Sequence, residues 1–128
     1  MNLEILNDLC ILINNDDLTK KIKLIDKLID FKKYKDAYFK LAVILEYINV
    51  LFINKILKIN ISNSDIMNIC QIYLKNDKKL ANKMISINGE YNLISENISF
   101  LNIDDVEILA ANIYDIYKYM ITNYGYFL

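Results

Sequence analysis

The side chains that could do chemistry in this 128-residue chain are carboxylates, lysine ammonium groups and two thiols, because it contains neither histidine nor arginine. Without imidazole there is no general base titrating near neutrality, no Ser–His or Cys–His nucleophile pair and no histidine-bearing zinc site. Without guanidinium there is no bidentate clamp for phosphate or carboxylate. Cys10 and Cys70 are isolated from one another inside helical apolar patterns. That placement predicts buried free thiols in a reducing compartment. Asp104, Asp105 and Glu107 could hold a hard cation, but an acidic helix start explains the same three residues. Glu46 stands inside an apolar run, where burial would raise its pKa and could make it an acid or base. No second titrating group falls beside it, so a salt bridge or a surface-facing seam is the simpler reading. There is no glycine-rich phosphate loop, no Cys-x-x-Cys pair and no spaced acidic calcium loop. The sequence predicts a protein that is not an enzyme, uses no metal or cofactor, and acts by binding another protein.

The elements that must position any binding surface are helical. The densest apolar run is Leu41 to Leu57, LAVILEYINVLFINKIL. Wound as a helix it is apolar almost all round, with Ala42, Glu46 and Asn49 as its one semi-polar stripe. Such a helix must be wrapped by other helices or by lipid. The run is shorter than the ~20 residues a membrane span needs and carries a charge in its middle. Met1-Asn2-Leu3-Glu4 also lacks the basic leader of a signal peptide. The expectation is a cytoplasmic protein with no membrane span.

Around that run the periodicity predicts further helices. Residues 3–13 place Leu6, Leu9, Cys10 and Ile13 on one face. Asp17 is the expected N-cap of a helix over 18–31, with Leu18, Ile22, Ile25 and Ile29 buried and Lys20, Lys23, Lys27 and Asp30 wet. The central helix is expected from near Asp36 past Leu57, with a bend around Asn49 or Asn54. Ser62 and Asp65 resemble a capping box for a helix over 65–75, burying Ile66, Ile69, Cys70 and Tyr73. Asp77 caps a short helix carrying Leu80, Met84, Ile85 and Ile87, which Gly89 is expected to stop. Residues 91–101 fit either a short helix or irregular chain. Asp104 is the expected cap of an amphipathic helix over 105–123, with Val106, Leu109, Ile113, Ile116, Met120 and Tyr124 as its stripe and Gly125 beyond its end. Ile108 and Tyr119 fall outside that stripe on one side of the helix. A neighbouring helix could cover them; otherwise, together with Glu46 and Asn49, they are the candidate subunit or partner contacts.

The predicted fold class is therefore all-α: residues 1–128 as one compact bundle of about seven helices around a buried hydrophobic helix. The apolar fraction of 55% with 24% charged residues supports a folded core. Isoleucine is abundant, which would favour strands, but the apolar spacing is 3–4 rather than 2. Net charge is −1, giving no global attraction to nucleic acid or anionic membrane. Charge is nevertheless uneven. Residues 20–40 hold eight lysines and three aspartates, while residues 90–128 hold six carboxylates and one lysine. Lysine, isoleucine, asparagine and tyrosine dominate a chain without proline or tryptophan, which is the codon signature of an AT-rich genome, as in large DNA viruses, clostridia or their phages.

Three stretches resemble a known family. Lys20 to Asp30, KKIKLIDKLID, is similar to the second-helix region of small, tail-less poxvirus proteins of Bcl-2-like fold. Lys83-Met84-Ile85-Ser86-Ile87 and then Glu107-Ile108-Leu109, leading through Ile113 and Tyr117 to Tyr124-Gly125, follow in compatible order. The resemblance covers about a quarter of the chain. It implies a Bcl-2-like bundle that inhibits host apoptosis or NF-κB signalling without catalysis. The implied partners are host pro-apoptotic or innate-signalling proteins, bound by a groove that holds an amphipathic helix, or a second copy in a homodimer. The chain departs from the cellular relatives in lacking their Asn-Trp-Gly-Arg groove signature. Two other readings remain open. Asp17-Leu18-Thr19-Lys20-Lys21 and the 65–88 helix pair fit a pyrin- or death-effector-like interaction domain over 3–88 with a helical tail. The acidic last third fits a phage or bacterial inhibitor or immunity protein that mates with a basic enzyme.

Overall fold

Asn14 and Asn15 turn the chain between its first two helices. The computed structural model describes residues 3–60, 66–96 and 101–128, and every regular element among them is helical. The first helix, α1, runs Glu4–Ile13 and the second, α2, runs Asp16–Asp30. Asn14 ends α1 in the left-handed conformation, φ 48°, which asparagine tolerates because its side chain hydrogen-bonds locally. Asn15 is extended, and its side-chain oxygen accepts from the Leu18 N–H at 3.1 Å. The N-cap is thus Asn15 and not Asp17. The carboxylates of Asp16 and Asp17 lie instead in the first turn, at the positive end of the helix dipole.

A tight turn then reverses the chain into α3, Tyr34–Lys55. The Lys33 N–H donates to Leu28 O at 2.8 Å and the Lys32 N–H to Ile29 O at 2.9 Å, the paired bonds of a Schellman end. The left-handed position, φ 58°, is occupied by Lys32 where glycine would be strain-free. This turn lays α3 antiparallel against α2.

The fourth helix, α4, spans Ile66–Tyr73, and α5 spans Lys78–Glu96. The predicted capping box at Ser62 and Asp65 lies outside the described residues. Tyr73 is exposed and Leu74 takes its expected place in the core, one residue further on. Asp77 caps α5 as predicted, accepting the Leu80 N–H at 3.1 Å. Gly89 does not stop that helix, which continues to Glu96. A glycine inside a helix costs only about 1 kcal/mol, and no proline follows to end it. The predicted short helix and the ambiguous segment after it are therefore one element as far as Glu96. The described helices number six rather than seven.

The last helix, α6, runs Ile103–Tyr124. Its cap is Asn102, not Asp104. The Asn102 side chain accepts from the N–H groups of Asp104 and Asp105, while Asp105 accepts back from the Asn102 N–H at 3.0 Å. Gly125 closes the helix at φ 89°, so that Phe127 folds back into the core against Phe52 and Tyr117.

The helices α1, α2, α3 and α6 form a closed ring, each packed on two neighbours, and α5 joins α4 to the outside of α6. The predicted stripes fill this ring. Leu6, Leu9 and Ile13 of α1, all four stripe residues of α2, and Val106, Leu109, Ile113, Ile116 and Met120 of α6 are buried. The central run is wrapped less completely than its composition suggests. It buries Leu41, Ile44, Leu45, Ile48, Phe52 and Ile53, but Asp36, Lys40, Val43 and Tyr47 form an exposed stripe at i, i+4, i+7 and i+11. Among the described residues no helix is long and apolar enough to cross a membrane.

Candidate protein-docking groove

The exposed stripe of α3 borders a groove. Its floor is Leu18 and Ile25 of α2 with Ile44 of α3, all three buried. Its walls are Leu24 of α2 with Val43 and Tyr47 of α3, which remain 56%, 60% and 47% exposed. Lys21 and Lys40 stand on the same groove, one from each helix. The enclosed volume is about 400 Å³. The placement follows from spacing. Leu18, Lys21 and Ile25 recur at helical intervals along α2, and Lys40, Val43, Ile44 and Tyr47 do so along α3. The Schellman turn at Phe31 to Lys33 sets the two rows face to face.

Three large apolar side chains sharing one concave surface are unlike singly scattered ones, which need no explanation. Leu24 lies within residues 20–40, which carry eight of the fifteen lysines, and Val43 and Tyr47 follow just beyond them. The groove can bind an apolar ridge and attract negative charge beside it.

Two smaller clefts lie between α5 and α6. One, of about 320 Å³, is lined by Asn82, Lys83 and Ser86 facing Asn112 and Asp115. The other, of about 260 Å³, lies among Lys79, Lys83, Lys118, Asp115 and Thr122. Their walls mix polar and apolar side chains, and they lack the exposed aliphatic side chains that mark the α2–α3 groove.

The residues singled out in sequence fall in different places. Glu46 is exposed, one residue before Tyr47, while Ala42 is half-buried and Asn49 is buried. The expected seam therefore opens only at Glu46. Asn49 points into the core, where its side-chain oxygen lacks a hydrogen-bond partner, as does the buried Tyr117 hydroxyl. Ile108 is 55% exposed on α6. Tyr119 is tied up internally: its hydroxyl donates to Asp77 at 2.7 Å, and the Lys79 ammonium lies 5.4 Å from its ring centre. Ile108 is thus exposed, while the Tyr119 hydroxyl is engaged within the fold.

Asp77 also accepts the Tyr124 hydroxyl at 2.5 Å, so one carboxylate ties the start of α5 to the end of α6. Burial alone would raise the Asp77 pKa, but the hydroxyls of Tyr124 and Tyr119, the Leu80 N–H and the Lys79 charge together hold it below the usual range. The Tyr124 phenol is pushed up by burial and by the adjacent carboxylate. An anionic carboxylate held by neutral phenols is a structural tie. Burial also raises the Cys70 thiol to about 11, while its Sγ lies 3.9 Å from the Met84 sulfur. Of the three acidic residues near the start of α6, Asp104 and Asp105 lie in its first turn, where Asp105 accepts the Asn102 N–H.

Sequence reasoning missed Leu24, Val43 and Tyr47. Leu24 left a signal as the apolar residue on the lysine-rich wet face of α2. Val43 and Tyr47 left none, because α3 is apolar on nearly every side. No protein family, no curated protein and no solved structure matches this chain.

Proposed function

We propose that this protein is a non-enzymatic binding module that holds an amphipathic helix of a partner protein in the α2–α3 groove. The observation that carries the reading is the shared concavity of Leu24, Val43 and Tyr47, exposed beside Lys21 and Lys40. Helix-in-groove recognition needs an apolar trough for anchors at i, i+3, i+4 and i+7, and polar rims that fix register. The lysine rims favour a helix whose anchors are flanked by aspartate or glutamate. Taken with the resemblance of Lys20 to Asp30 to the tail-less poxvirus proteins, the reading extends to a Bcl-2-like viral inhibitor. It would act on host apoptosis or innate NF-κB signalling, in the cytoplasm of the infected cell.

The test is a titration of the protein with a panel of pro-apoptotic amphipathic-helix peptides, joined to affinity capture from stimulated animal cells. Binding of an acidic-flanked helix that Leu24→Glu or Val43→Glu abolishes supports the groove. Both side chains are exposed, so the variants keep the fold. Recovery of a death or NF-κB component by the unaltered chain but not by those variants supports the inhibitor reading. No peptide bound and no such component recovered would defeat it.

A further inference from the structure

The same groove has a complementary surface on the molecule itself. One exposed ridge near the start of α6 carries Asp104, Ile108 and Ala111 at i, i+4 and i+7, with Glu107 beside them. Ile108 is the one strongly exposed large apolar side chain of α6, and it stands among carboxylates. The groove is the inverse: an apolar trough with Lys21 and Lys40 on its sides. A helix ridge at i, i+4 spacing is the shape that packs into the furrow between two helices. We propose that the α6 ridge of one copy docks into the α2–α3 groove of a second copy. Ile108 fills the trough, and Asp104 and Glu107 face the lysine rims.

The fold makes this contact intermolecular. In the ring of α1, α2, α3 and α6, the helices α2 and α6 are not neighbours but stand across from each other. Ridge and groove therefore face away from one another within a single chain. Each copy presents one donor face and one acceptor face, so association is head-to-tail and needs no two-fold axis. The uneven charge acquires a use: the lysine-rich 20–40 segment of one copy meets the acidic last third of the next. Opposed charge sets orientation and encounter rate, while the apolar knob supplies the contact that persists in salt. The inference rests on the groove proposed above, and it adds that self-docking competes with any helical partner.

The experiment is sedimentation velocity over a concentration series in low and high salt, on the full chain and two variants. Lys21→Glu with Lys40→Glu spoils the groove and leaves the ridge; Ile108→Asp spoils the ridge and leaves the groove. All three positions are exposed. The full chain is expected to associate, with a dissociation constant about tenfold weaker after the Debye length is cut from ~10 Å to ~3 Å. Each variant alone is expected to stay monomeric. Mixed, they still own one intact ridge and one intact groove, so they are expected to form 1:1 heterodimers that grow no further. Monomeric full chain, association by the Ile108→Asp variant alone, or no complex in the mixture would each overturn the inference. A groove that binds an acidic helix peptide while the full chain stays monomeric would refute self-docking and leave the partner reading standing.

Discussion

Replacing Asp77 with alanine removes the only side chain among the described residues that both caps α5 and bonds α6. Losing the cap to the Leu80 N–H costs about 1 kcal/mol. The Tyr124 hydroxyl loses a charge-assisted bond of 2.5 Å, a contact worth about 1.5–3 kcal/mol when buried. Asp77 is only half-buried, so solvent screening reduces that to about 1 kcal/mol. Together these give a loss of about 2 kcal/mol. For a domain of this size that lowers the melting temperature by about 8 °C. Asp77→Asn keeps a good cap and loses the charge, so it is expected to lose about half as much. The measurement is chemical and thermal unfolding followed by circular dichroism, with a double-mutant cycle between Asp77→Ala and Tyr124→Phe.

The pH profile carries an independent sign. The Asp77 pKa is lowered in the folded state, so its contribution is present above about pH 4 and is lost as pH falls through the folded value. The Tyr124 pKa is raised by burial and by Asp77, so its contribution is present below about pH 10 and is lost as pH rises through the folded value. Asp77→Ala should flatten part of the acid limb. Coupling to Tyr124 below about 0.3 kcal/mol, or an unchanged acid limb, would refute the tie between α5 and α6.

Three further outcomes are expected. Lys32→Gly relieves the left-handed residue of the α2–α3 turn and should stabilise by about 1 kcal/mol in denaturant unfolding; a loss would show that the turn is not strained. Tyr117→Phe removes a buried hydroxyl that has no hydrogen-bond partner, and should leave stability unchanged or raise it by up to about 1 kcal/mol; a clear loss would reveal a bond made by that hydroxyl. Cys70, with its thiol near 11, should react with a maleimide at pH 8 roughly 200-fold more slowly than an ordinary thiol. It should lag behind the less buried Cys10 until the chain is unfolded, and equal rates in mass-spectrometric labelling would contradict the packing of α4 on α5.

How much of this was legible in sequence differed from element to element. The α2 stripe was read residue for residue, because a helix alternating isoleucine with lysine leaves only one way to face a core. The caps were displaced by two residues each, to Asn15 and Asn102, since Asn and Asp cap equally well and only the observed bonds choose between them. Gly89 misled, because a glycine marks a helix end only when the backbone there turns left-handed, as at Gly125 and not within α5. The candidate contacts were less legible still. Tyr119 looked available on α6 until the fold brought Asp77 to its hydroxyl from a position forty-two residues earlier.

What the sequence determined alone was the chemistry the protein forgoes and the class of its elements. A chain without histidine, arginine or proline, with apolar residues every three or four positions, excludes imidazole- and guanidinium-based sites and specifies helices. Tertiary structure alone decided which side of α3 meets solvent. An all-round apolar helix carries no internal preference between its faces, so only the ring of α1, α2 and α6 could leave Val43 and Tyr47 uncovered beside Leu24. The groove arises from two helices pairing, and neither helix states it by itself.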